Sequence, residues 1–98
     1  MKLITKDIEK VAPPLGATEN ERDPLAVAKL FTPDSCWTWY LTEYDPKTRE
    51  AFGLVHGEVE ELGYFNLDEL SAIRGPKGLP IERDIYWKPR KLSEVKWS

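Results

Sequence analysis

The sequence predicts a small α+β fold: a mainly antiparallel sheet of about four strands, an N-terminal helix, a short central helix and an irregular C-terminal segment. Three observations carry this. Apolar residues recur at helical spacing at Ile4, Ile8 and Val11, aromatic and β-branched residues crowd the middle of the chain, and the links between extended runs are short. Short links favour a meander over βαβ crossovers. The 98 residues give room for one hydrophobic core, so a single domain over residues 1–98 is expected.

Thr5 is placed to cap the first helix through its hydroxyl, and Pro13-Pro14 removes the backbone donors that would continue it. So short a helix melts alone, and its apolar residues must pack on the sheet. Residues 15–24 are a polar connection without periodicity. LAVAKLF, 25–31, has the length and apolar content of a first strand, and Thr32-Pro33-Asp34-Ser35 supplies a turn. CWTWYLTEY, 36–44, is the strongest extended signal, with Trp37, Trp39 and Leu41 on one face and Thr38, Tyr40 and Thr42 on the other. Trp37 and Trp39 are therefore expected in the core, with Cys36 beside them as a small buried hydrophobe.

Asp45 to Thr48 reads as a hairpin loop leading into a strand at 50–56, where Gly53 implies a bulge, a bend or a close neighbour, packing against a Trp ring being one explanation. A fourth strand follows at 59–64. Asn66 then caps the central helix, with Glu69 three residues on and Phe65 and Leu70 as a hydrophobic staple, and Gly75-Pro76 stops it. Pro76, Pro80 and Pro89 exclude a long helix or a central strand from the final third, leaving Leu79, Ile81 and Ile85 to seal the core.

Composition excludes several classes of function. A chain that is 41% hydrophobic and 32% charged is ordinary globular protein. No apolar run approaches the roughly 20 residues of a membrane span, and Asp7 and Glu9 interrupt any signal-peptide core, so no membrane association is expected. One cysteine allows no internal disulfide, which fits a reducing, cytoplasmic setting. His56 and Cys36 are the only imidazole and thiol, so no metal is predicted. No cofactor is predicted either, because Arg74-Gly75-Pro76-Lys77-Gly78 lacks the spacing of phosphate and dinucleotide loops. The net charge of -3 hides a polarity: Leu41 to Ile73 holds eight acidic and two basic residues, and Arg74 to Ser98 seven basic and three acidic. A bipolar surface steers a partner, although solvated sheet faces give the same tally.

Two constellations are candidates for a site. His56 is the only histidine, the residue type that titrates near neutrality, and its place beside Gly57 suggests an accessible turn position. With Glu58 or Glu61 as acid partner, and with Arg83, it makes a polar set of the kind a small enzyme uses. An edge histidine explains the same residues, no catalytic residue is assigned, and a nonenzymatic role is favoured. Arg83 sits in Ile81-Glu82-Arg83-Asp84-Ile85, whose alternation turns it inward and demands an acceptor. The stronger candidate is an interaction surface of Arg74, Lys77, Arg83, Tyr86, Trp87, Lys88, Arg90 and Lys91. Aromatic anchors among basic groups suit a protein hot spot, and single-stranded nucleic acid, held by stacking and phosphate contact along 86–91, is the alternative. Core closure by Tyr86 or Trp87 is the structural alternative to both. Trp97 either covers the core, joins a partner or frays. A protein partner is expected first and nucleic acid second, and a homo-oligomer stays compatible with the composition.

The opening LITKDIEKVAPPL, the FTP and WTWYLTEYD segments, AFGLVHG, ELGYFNLDELSAIRGPKGLPIERDIYW and the closing LSEV together resemble a bacterial domain-of-unknown-function family, numbered 2958, of small proteins often carried by plasmids, phages and other mobile elements. The resemblance covers nearly the whole chain. It implies no active site that can be transferred residue by residue. Its mobile-element association implies extra weight for accessory or host-interaction roles. With the aromatic anchors, prolines and basic groups of 74–91 and no recognisable catalytic constellation, the leading expectation is an uncharacterised, noncatalytic protein-interaction domain such as an accessory or inhibitor factor.

Overall fold

The structure, a computed structural model, describes residues 2–96. Its elements run α1 (Lys6–Val11), β1 (Leu25–Ala26), β2 (Ala28–Phe31), β3 (Thr38–Asp45), β4 (Glu50–His56), β5 (Glu60–Asn66), α2 (Leu67–Ala72), β6 (Glu82–Arg83), β7 (Arg90–Lys91) and a 3-10 turn at Leu92–Glu94. Both predicted helix caps are made: the Thr5 hydroxyl accepts from the Ile8 amide at 3.3 Å, and the Asn66 side chain accepts from the amides of Asp68 and Glu69. Trp97 lies outside the described residues.

The expectation of about four strands is corrected. Among the described residues seven strands form two antiparallel sheets, a five-stranded one in the order β5-β4-β3-β2-β6 and a two-stranded ribbon of β1 and β7. The run 25–31 breaks at Val27, so that Leu25–Ala26 pairs with Arg90–Lys91 while Ala28–Phe31 joins β3 and β6. The proline-rich C-terminal third contributes only two-residue strands, which pair at sheet margins where an interrupted ladder is tolerated.

Each face of the large sheet carries its own core. On the first, Leu30, Trp39, Leu41, Tyr44, Ala51 and Phe65 pack under Leu3 and Ile4, under Leu67 and Leu70 of α2, and under Ile81. On the second, Ala26, Tyr40 and Leu54 are covered by Leu92, Trp87 and Val95. Covering both faces is how so small a sheet buries enough apolar area to fold.

Of the residues expected to pack on the sheet or seal the core, Ile4 and Ile81 are buried but Val11, Leu79 and Ile85 stay exposed, and three further local expectations fail for identifiable reasons. Trp37 precedes β3, pinned by the Thr32 hydroxyl, and remains 41% exposed, stacked on Trp39 at 5.9 Å rather than buried with it. Cys36, in the same turn, is exposed. Gly53 is required by backbone, not by a ring: a Cβ there would lie 1.8 Å from the Tyr40 carbonyl oxygen. The glycine that a Trp ring does demand is Gly57, whose Cβ would meet Trp37 at 2.3 Å.

Candidate functional site

A concave feature lies on the second face and begins with a bulge. Leu41 pairs with Gly53 and Glu43 with Phe52, so Thr42 is the extra residue of β3. A bulge sends two consecutive side chains to one face, and Thr42 and Glu43 both line the cavity. The Thr42 hydroxyl donates to the Phe52 carbonyl at 3.0 Å, which leaves Glu43 facing the 15–24 connection.

Glu43 is 3% exposed, and its carboxylate accepts from the Gly16 amide at 2.7 Å, from the Thr18 amide at 2.8 Å and from the Thr18 hydroxyl. Burial raises its pKa, but these three donors outweigh burial and hold the carboxyl below its ordinary value. The connection that lacks sequence periodicity is therefore folded around a buried anion. A glutamate set among the aromatic residues and threonines of β3 was the available signal for it.

This cavity, of about 310 Å³, runs between the 16–24 connection and the exposed face of β5, where Leu62 and Tyr64 stand beside Phe52. The Phe52 and Tyr64 rings meet edge to face at 4.9 Å, and Leu62 and Tyr64 are 54% and 64% exposed. Through its three donors from the 16–18 segment, the carboxylate at the cavity wall acts as a tether for the connection.

His56 is buried, not accessible. It lies opposite Glu60 in the β4–β5 register, with Nε2 2.8 Å from the Glu60 carboxylate and its ring edge-on to Tyr40 at 5.1 Å. Burial raises the Tyr40 hydroxyl pKa. Glu61 opposes Val55 and so points to the other face of the sheet. Arg83 is separated from β4 by two strands, β3 and β2, and lies in β6 opposite Leu30, where its guanidinium donates to the Lys2 carbonyl. The structure thus does not bring His56, Glu61 and Arg83 into one pocket, and Arg83 has the acceptor its alternation demanded.

The basic and aromatic candidates divide into two places. Arg74 donates to the Ser71 and Ile73 carbonyls at the end of α2, and the Lys77 amide donates to Asp34, so both belong to the turn beside Trp37. Tyr86, Lys88, Arg90 and Lys91 are exposed, Tyr86 beside Glu82 and Arg83 of β6, and Arg90 and Lys91 in β7 of the two-stranded ribbon. Trp87 is turned inward: its Nε1 donates to the Ala26 carbonyl at 2.9 Å, its ring meets Tyr40 at 5.5 Å, and Arg90 and Lys29 lie over it at 5.0 and 5.8 Å. Tyr86 is 86% exposed, beside Ile85 at 62%.

Among the described residues no group of three His, Cys, Asp or Glu side chains is arranged to hold a metal ion, and no helix is long and apolar enough to cross a membrane. Residues 3–96 match the model of a family described as "Protein of unknown function (DUF2958)". No curated protein and no solved structure is significantly similar.

Proposed function

Because the chain belongs to the DUF2958 family of proteins of unknown function, we propose from its geometry that it is a noncatalytic protein-interaction domain, an accessory or inhibitor factor whose docking surface is the ridge formed by Ile85, Tyr86, Lys88, Arg90 and Lys91. The observation that carries this is Tyr86: an aromatic side chain 86% exposed, flanked by an exposed isoleucine and followed by basic groups. Tyrosine combines a large rigid contact area with a polar tip, and such residues dominate interface energetics. The surrounding charge favours an acidic protein surface.

The same ridge is less suited to single-stranded nucleic acid. Stacking needs a series of open rings, and Trp87, the second aromatic of the segment, is committed to Tyr40, Ala26, Lys29 and Arg90. Glu82 and Asp84 also interrupt a phosphate track.

The test is quantitative capture of partners from host lysate by the wild-type chain and by Tyr86→Ala, each with and without nuclease. A nuclease-resistant protein whose recovery falls about tenfold in the variant is the expected result, since hot-spot truncation costs that much or more. Recovery that disappears with nuclease, or that ignores the substitution, overturns the proposal.

A further inference from the structure

We propose that the open edge of β5 accepts an extended, basic segment of a partner protein as an additional antiparallel strand. This surface lies at the opposite margin of the sheet from the Tyr86 ridge and does not depend on it, because β5 and β6 end the strand order on opposite sides.

The first support is the hydrogen-bond parity of the hairpin. The Gly57 amide donates to the Val59 carbonyl at 3.1 Å, and the Leu67 amide donates to the Arg49 carbonyl at 2.9 Å. Bonded and non-bonded pairs alternate in an antiparallel ladder, so Glu61, Gly63 and Phe65 spend their backbone groups on β4. Glu60, Leu62 and Tyr64 therefore direct theirs outward along the edge.

The second support is that this edge carries little protection. Sheet margins are ordinarily blunted by charged side chains, lysine above all, by proline, a bulge or brevity, and the charges of β5 stand only at its first two positions, Glu60 and Glu61. β5 is seven residues long, pairs with β4 in unbroken register and contains neither lysine nor proline. The opposite margin, β6, is only two residues long.

The third is complementarity. Leu62 and Tyr64 offer an apolar platform on one face, while at Gly63 an added Cβ would meet nothing within 4 Å, leaving room on the other face for a bulky residue from an incoming strand. Residues 50–66 include Glu50, Glu58, Glu60 and Glu61 and no lysine or arginine, and Glu58 and Glu61 are exposed. Opposite charges stabilise cross-strand neighbours, so the occupant carries lysine or arginine facing the Glu60–Glu61 end and apolar residues facing Leu62 and Tyr64. A second copy of the chain brings the same acidic hairpin and fits poorly.

The probe is an acetylated, amidated peptide, Thr-Val-Tyr-Val-Lys-Lys-Thr, compared with its Glu-Glu counterpart, on the full chain with amide NMR as readout. The lysine peptide is expected to perturb the β5 amides, to slow exchange of the Glu60, Leu62 and Tyr64 amides, and to bind about tenfold more tightly than the glutamate peptide. Glu61→Lys should narrow or invert that preference. Leu62→Pro should abolish binding while leaving the β4–β5 amides protected, because proline replaces only an outward N–H. Perturbation elsewhere, equal binding of both peptides, no binding by either at millimolar concentration, or protection of the three edge amides that rises with protein concentration alone would each overturn the proposal.

Discussion

The indole N–H of Trp87 donates to the carbonyl of Ala26 at 2.9 Å, joining the C-terminal segment to a strand 61 positions earlier. This bond, with the Tyr40 contact, packs Trp87 against the second core while its neighbour Tyr86 stays exposed. Trp87→Ala is expected to cost about 3 kcal/mol, as loss of a large aromatic from a packed cluster does, and Trp87→Phe about 1 kcal/mol for the orphaned carbonyl. Tyr86→Ala should stay within about 0.5 kcal/mol. Urea unfolding of the three variants checks the order; an unaffected Trp87→Ala contradicts it.

Glu43 makes stability depend on pH. Its carboxyl is held below the ordinary value of 4.5, so the unfolded chain takes up this proton more readily than the folded one. The stabilisation is complete above that ordinary value and is lost as pH falls through the lowered folded value. Glu43→Gln is expected to cost about 2 kcal/mol at neutral pH, with the gap to wild type narrowing in acid. A gap that is independent of pH would show that the charge is not what holds the connection.

Gly53 and Gly63 predict opposite outcomes for the same substitution. Gly53→Ala drives a methyl into the Tyr40 carbonyl, which cannot yield without opening β3, and should cost on the order of 3 kcal/mol. Gly63→Ala meets open space and should be neutral or slightly stabilising. Thermal unfolding separates them.

Cys36 is exposed in the 32–37 turn, so a thiol reagent should label it stoichiometrically in the native protein without denaturant. Labelling that waits for unfolding would place the thiol inside the core.

What the sequence made legible was local. Thr5 and Asn66 are caps because their side chains reach amides two or three residues on, and the strand at 50–56 is bounded by turns that its own residues specify. What it concealed is decided at long range. Nothing near Arg90 announces a pairing with Ala26, nor does the 15–24 connection reveal that Gly16 and Thr18 will surround Glu43. Trp37 and Trp39 share an alternation pattern, yet β3 begins between them, and only Trp39 is buried. His56 and Glu61 fell on opposite faces because the hairpin register, which the turn sets, pairs His56 with Glu60.

The two sheets also differ in how far apart along the chain their partners lie. β3, β4 and β5 are consecutive hairpins, whereas the clasp over the second core depends on the β1–β7 ribbon and on Asp23, whose carboxylate accepts from Ser93, 70 positions away. Low contact order in the meander and high contact order in the clasp make the clasp the last unit to assemble and the first to release. Its opening is a sub-global event that uncovers Tyr40 and Leu54 while the meander stays intact, so native-state proteolysis should begin in the C-terminal segment.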